Sequence, residues 1–247
     1  MARTALPGRL TWQVTRVVEV TPETGSAKTI LLEAPEWAGH RAGQHVDIRL
    51  TAEDGYQAQR SYSIASGPED DHLALTVEEI DDGEVSPYLT EELRAGDELE
   101  LRGPIGGWFV WDGTQGGPLL LFGGGSGVVP LRAMLRHRAA TFNPTPARLV
   151  YSARSLEDVI YRDELEHAAH GAEIQLALTR SWPEGWTGHR GRVDDAMLNE
   201  VAWPPSEAPA IYICGPTGFV EAISREMVAR GHDPGRVRTE RFGPTTG

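Results

Sequence analysis

The 247-residue chain has one cysteine, Cys214, and one lysine, Lys28, among its 23 basic residues. A lone thiol cannot form an internal disulfide, a structural zinc site or a cysteine-ligated iron–sulfur cluster. Any redox centre is therefore an organic cofactor or belongs to another chain. No apolar run approaches the roughly 20 residues that span a bilayer. The first residues, MARTALPGRLTW, lack the apolar core of a signal peptide, so the expectation is a cytoplasmic protein with no membrane partner. Positive charge is also scarce. Residues 1–114 carry 21 acidic against 9 basic side chains, a net of −12, whereas residues 115–247 carry 15 against 14. A half so acidic argues against nucleic acid as a partner.

What is present falls into two patterns. The runs LTWQVTRVVEV, AKTILLEA, GQHVDIRL, QRSYSIAS, LALTVEEI and DELELRGP are short, rich in β-branched residues and separated by turn formers. Six of them in succession imply an antiparallel β-barrel. SPYLTEELRAG, with Ser86 as N-cap, is expected to be a helix inside that domain. After the turn-rich WDGTQGGP (111–118), apolar strands alternate with helices: PLLLF, VPLRAMLRHRAA, RLVYSAR, LEDVIYRDELEHAA, EIQLALT, VDDAMLNEVA, AIYICGP, FVEAISREMVARG and RVRTERF. That alternation implies a parallel sheet covered on both faces. The expected division is 1–114 for the barrel and 115–247 for the α/β domain.

The glycine cluster GGGSGVVP (123–130) joins the first strand of the second domain to its first helix. It is not Gly-x-Ser-x-Gly, since Val128 stands where the last glycine belongs. It has no lysine for a phosphate-binding Walker loop, and Pro130 replaces the third glycine of the dinucleotide fingerprint. What survives is a side-chain-free turn whose N–H groups and helix dipole suit an anion or a flat ring. A tight turn without a ligand is the alternative. After the next strand come Ser152 and Arg154, and one strand later Thr179 and Arg180, where an NAD site offers a carboxylate. Arginine beside a hydroxyl suits a phosphate, which favours NADPH over NADH.

Arg60-Ser61-Tyr62-Ser63 sets a cation, an aromatic ring and hydroxyls along one strand, with Arg60 and Tyr62 on one face and Ser61 and Ser63 on the other. Taken in order with Gly83-Glu84-Val85-Ser86, Gly103-Pro104, Gly123–Pro130 and Ile213-Cys214-Gly215-Pro216, it makes the chain resemble the ferredoxin–NADP reductase superfamily over residues 10–243.

The resemblance implies a flavin barrel followed by a pyridine-nucleotide domain, binding FAD (FMN is the alternative) and NAD(P)H. It places Arg60 on the flavin diphosphate, Tyr62 against the isoalloxazine and Ser63 near its reactive nitrogen. Ser61 belongs to the same flavin motif. Gly83, Val85 and Ser86 form the turn over the diphosphate. Gly124, Gly125, Ser126 and Gly127 are to cradle the nucleotide, with Cys214, Gly215 and Pro216 under the nicotinamide. Ser152, Arg154, Thr179 and Arg180 are to hold the 2′-phosphate. Glu240 is expected to position the nicotinamide, and Phe242 to cover the flavin in place of a terminal aromatic. The tail 244–247 is either loose or wrapped over the flavin.

The implied activity is hydride transfer from NADPH to FAD and electron delivery to a separate acceptor, a redox partner protein or a small molecule. A non-catalytic nucleotide- or flavin-binding subunit of the same fold is the rival reading. Because the flavin half carries −12, the acceptor is expected either not to be strongly acidic or to dock only on a face formed by Arg132, Arg136, Arg138, Arg236, Arg238 and Arg241. The His167/His170 pair lacks a carboxylate motif, and no metal site is expected. The Asp pairs 70–71, 81–82 and 194–195 are expected to be solvated. Trp108, Phe109 and Trp111 are expected in a core or domain interface.

Overall fold

The structure, a computed structural model, describes residues 10–80, 82–167 and 169–242. Strands β1 (Gln13–Pro22), β2 (Ala27–Glu33), β3 (His45–Thr51), β4 (Gln57–Ser63), β5 (Leu73–Glu78) and β6 (Glu98–Ile105) form an antiparallel sheet ordered β4-β3-β6-β1-β2-β5. A bridge between Ile64 and Leu75 joins its two edges into a barrel. Alternation along the strands turns Ile30, Leu32, Val46, Ile48, Leu75, Val77 and Leu101 into a closed interior. Each such side chain contributes about 1.5–3 kcal/mol by leaving water. The helix expected over SPYLTEELRAG is the short turn Tyr88–Glu92, ended by Leu93 in an extended conformation. Ser86 does not cap it. Its hydroxyl accepts the Ile80 N–H at 3.1 Å and ties the preceding loop shut.

The second half supplies β7 (Leu119–Gly124), α1 (Val128–Ala140), β8 (Ala147–Ala153), α2 (Arg162–His167), β9 (Glu173–Leu178), β10 (His189–Arg190), α3 (Asp195–Val201), β11 (Ala210–Pro216), α4 (Thr217–Ala229) and β12 (Val237–Phe242). The sheet is parallel in the order β10-β9-β8-β7-β11-β12. The chain extends the sheet one way from β7 through β8 and the other way through β11. The crevice at that reversal is where open α/β sheets bind ligands.

Two further local expectations fail. The helix expected from Leu156 begins only at Arg162, because Tyr161 is in the left-handed region (φ 62°) and its ring is buried. Asp194 and Asp195 are not simply solvated: Asp194 caps α3 through the Met197 N–H, and Asp195 pairs with Arg230. Of the other aspartate pairs, Asp81 lies outside the described residues.

The halves are joined by α1, whose buried residues Val128, Val129, Leu131, Met134 and Leu135 share one core with Ala42, Ala65 and Phe109 of the first half. Its polar face reaches the barrel as well. Arg132 donates to the Ala65 carbonyl and to Glu164, Arg136 holds Asp70 in a two-bond pair, and His137 meets Glu69. The buried Tyr161 donates to Thr76 of β5, and its backbone N–H bonds Glu23.

Candidate functional site

The ends of β4 and β11 are linked through their neighbouring strands β3 and β12. Ser63 is the cross-strand partner of His45. His45 Nδ1 lies 3.7 Å from Glu240 Oε1, and Glu240 is the register partner of Cys214. Barrel motif and nucleotide motif are therefore brought close together at the domain junction. Burial pushes the Glu240 carboxyl up to about 7, and its Oε2 is buried without a partner. Burial also lowers the His45 imidazole. Burial, with the neighbouring Glu240 charge, raises the Cys214 thiol well above its ordinary value, so Cys214 is a neutral, apolar wall. Phe242 pairs in register with Pro216 at the mouth of this wall and is half-buried. Residues 243–247, including the tail expected to be loose or wrapped, lie outside the described residues.

The glycine cluster is explained mostly by packing. A Cβ on Gly127 would lie 2.1 Å from the Cys214 carbonyl oxygen, so only glycine lets the head of α1 touch β11. A Cβ on Gly124 would press the Phe219 ring at 3.0 Å. Gly125 has φ +55° and faces Glu78, whose Oε2 accepts the Ser126 N–H at 3.2 Å. An anion does rest on this turn, and it is the barrel's own carboxylate. No sequence signal marks Glu78, because only the tertiary fold brings the end of β5 to α1.

On β4, Arg60 is exposed and paired with Glu84 (2.5 Å), while Tyr62 is half-buried, with its hydroxyl pushed by burial to about 12. Ser61 points to the other face and donates to Asp47. Hydrogen bonds from Tyr56 and Arg60 hold the Glu84 carboxyl below its usual range. Among the described residues, no partner accepts the backbone N–H of Glu84, Val85 or Ser86. Val85 itself is buried in the barrel core, and a Cβ on Gly83 would strike the Ser86 hydroxyl at 2.7 Å.

At the far end of the sheet, Ser152 lies beside Gly124 across β7–β8. The Thr179 hydroxyl donates to the Ala153 carbonyl, and the Arg180 N–H bonds the Arg154 carbonyl. The exposed guanidinium groups of Arg154, Arg180 and Arg192 make no ion pair among the described residues. Arg192 escaped the sequence reading, and Gly191, bonded to Leu178, brings it to this end.

The expected arginine docking face is not there. Arg132 and Arg136 are spent on the domain junction, and Asp70, expected to be solvated, is one of their partners. Arg138 donates to Thr145 and His170 carbonyls, Arg236 to those of Pro209 and Gln115, and Arg238 to that of Val110. Of the six, Arg241 is exposed with one long contact to Thr239. Phe109 and Trp111 are buried as expected, but Trp108 is 59% exposed beside Arg238. His170 pairs with Glu164, and no group of three potential metal ligands occurs among the described residues.

A closed antiparallel barrel packed against a parallel nucleotide-type sheet is the architecture of a flavin- and nicotinamide-dependent oxidoreductase. Comparisons with known proteins agree. Residues 12–110 match the oxidoreductase FAD-binding domain and residues 121–225 the oxidoreductase NAD-binding domain. Ferredoxin–NADP reductase B of Sorangium cellulosum is 34% identical over 223 residues, covering 87% of this chain and 86% of that one. The glycine betaine monooxygenase reductase subunit of Pseudomonas aeruginosa is 32% identical over 237 residues, covering 93% of this chain and 64% of that protein. The chain thus spans about two thirds or less of such reductase subunits. The solved structure of an Amycolatopsis cytochrome P450 reductase superposes with a TM-score of 0.82 at 27% identity, covering 98% of this chain and 74% of that one. The chain belongs to the ferredoxin–NADP reductase superfamily.

The residues present fit a flavin. The N–H groups at 84–86, without a partner among the described residues, and the exposed Arg60 guanidinium suit a diphosphate, the Tyr62 ring offers a stacking face, and the orphaned Glu240 Oε2 needs a polar neighbour.

Proposed function

We propose that this chain is a reductase that binds NADPH against FAD and passes reducing equivalents to a separate acceptor, a redox partner protein. The flavin, when bound, supplies the hydride acceptor and the capacity to release electrons singly or in pairs. The chain supplies alignment. In this reading Arg60 and the 83–86 turn, with Val85 and Ser86, bind the diphosphate, and Tyr62 and Phe242 flank the ring system. Ser63 and Ser61 fix the strand edge beside it. Cys214, Gly215 and Pro216 form a flat bed for the nicotinamide, and the glycine turn Gly124–Gly127 borders it. Burial raises the Glu240 carboxyl to about 7, so below that pH it carries a proton that it can donate to a carboxamide. Ser152, Arg154, Thr179 and Arg180 take the 2′-phosphate.

The observation that carries this reading is the contact chain from Ser63 through His45 and Glu240 to Cys214. It supports stacked rings within reach of direct transfer. The named relatives, a ferredoxin–NADP reductase and a monooxygenase reductase subunit, support an acceptor protein. The test is anaerobic mixing of purified protein with NADPH and with NADH. A yellow protein bleached faster by NADPH is the expected result. A colourless protein that cannot be reconstituted with FAD or FMN would instead make the chain a non-catalytic subunit.

A further inference from the structure

Glu240 on β12 is the parallel register partner of Cys214 on β11, and paired strands lie about 4.8 Å apart. Burial and, after it, the Glu240 charge raise the Cys214 thiol, so the carboxylate acts electrically on the bed residue beside it. Glu240 is neither sealed nor solvated: its side chain is 27% exposed, and its Oε2 is buried without a partner. The groups around it leave its charge uncompensated. His45 on β3, 3.7 Å from Oε1, has an imidazole lowered by burial. Asp47, two residues along β3, is held by Ser61 and Arg102. Arg238, on the same face of β12, donates to the Val110 carbonyl and the Tyr212 hydroxyl, and Arg241 donates to Thr239. α4 also packs on β12, yet burial alone accounts for the raised Glu240 carboxyl, with no contribution from Glu221, Arg225 or Glu226 of that helix. No arginine pairs with Glu240 among the described residues.

We propose that Glu240 lets the nicotinamide bed tell the two redox states of the nucleotide apart by charge: ionised, it favours the oxidised, cationic ring, and protonated, the reduced, neutral one. The inference rests on the nucleotide-site reading above. The oxidised nicotinamide ring carries a positive charge that the dihydro ring lacks. A carboxylate one strand from the bed attracts that charge, more strongly than in water because solvent is largely excluded. Binding the oxidised ring therefore draws the proton off Glu240 into solvent. A neutral ring laid over the bed removes more water from the carboxyl and so holds the proton on it. Since the carboxyl titrates at about 7, the balance between the two redox states shifts within the neutral range. Rising pH retains the oxidised nucleotide, and falling pH releases it.

The test is calorimetric binding to the flavin-loaded protein, from mildly acidic to mildly alkaline buffer, in wild type, Glu240→Gln and His45→Gln. The probes are NADP+ and the tetrahydro analogue of NADPH, whose ring is neutral and gives up no hydride. Both carry the same 2′-phosphate, so its own titration cancels in the ratio of their dissociation constants. In wild type that ratio is expected to move toward NADP+ by at least about tenfold as pH rises through about 7. In Glu240→Gln it is expected to stay level, and in His45→Gln to move as in wild type. Titrations in buffers of different ionisation heat count protons on the wild type alone, and NADP+ is expected to release more than the analogue does. Flavin absorbance and melting temperature report folding of the variants. A level ratio in wild type, equal proton counts, a shift that survives in Glu240→Gln or one that is lost in His45→Gln overturns the role of Glu240 and leaves the nucleotide site standing. No binding of either probe to the wild type overturns the nucleotide-site reading, and the role of Glu240 with it.

Discussion

His45 of the barrel and Glu240 of the parallel sheet meet across the domain junction, Nδ1 to Oε1 at 3.7 Å. His45 is paired with Ser63 and Glu240 with Cys214, so this one contact closes the distance between the two motifs.

The pair makes stability pH-dependent. The Glu240 carboxyl, ordinarily near 4.5, is raised to about 7 by burial. The folded protein therefore keeps a proton that the unfolded chain releases. This contribution is fully present below pH 4.5 and is lost as pH rises through 7, at most about 3 kcal/mol. In thermal melts, wild type is expected to lose more stability than Glu240→Gln between mildly acidic and mildly alkaline buffer. Equal losses would exclude Glu240 as the source.

Glu164 has the opposite sign. Burial opposes its charge, but His170, Arg132 and Arg136 outweigh that and hold the carboxyl at about 2. Its contribution is present above the ordinary carboxylate range and is lost as pH falls toward 2. Glu164→Gln strips Arg132 of its charged partner and is expected to cost about 1.5–3 kcal/mol at neutral pH. The cost should shrink in acid, as read from urea unfolding at several pH values.

Arg60→Ala is expected to weaken flavin binding by about 1.5–3 kcal/mol, roughly 10- to 150-fold, by removing a charge-assisted bond to phosphate. Equilibrium titration of the stripped protein with FAD measures it. Since Glu84 holds Arg60 when no phosphate competes, Glu84→Gln should bind flavin at least as tightly as wild type.

Arg180→Ala is expected to raise the KM for NADPH well above any change for NADH, because its exposed guanidinium has no ion-pair partner within the fold. Steady-state kinetics with both nucleotides decides it, and equal effects would remove the NADPH preference.

Cys214 is 2% exposed, with its thiol raised by burial. It should resist thiol reagents in the native protein and react fully on unfolding. Rapid native labelling would show that the nicotinamide bed opens.

The strands were legible where hydrophobic spacing is local: all six barrel strands and the five long strands of the parallel sheet coincide with runs visible in the chain. Ser63 and Cys214 stand in two of the short motifs whose order along the sequence carries the family resemblance. The polar partners were not. Arg132 and Arg136 look like surface cations on an amphipathic helix, yet their partners Glu164 and Asp70 lie 32 and 66 residues away.

The sequence by itself determined the element order, the barrel-then-sheet plan and the family, because period-two and period-3.6 patterning and short motifs are written in neighbouring residues. Only the tertiary structure decided which charges meet: that Glu78 lies on the Ser126 amide, that His45 faces Glu240, and that Arg132 and Arg136 of α1 bind the barrel and do not offer a docking face. The physical reason is that a charged side chain takes its partner from whatever the folded chain brings within a few ångströms, and sequence spacing carries no record of that distance.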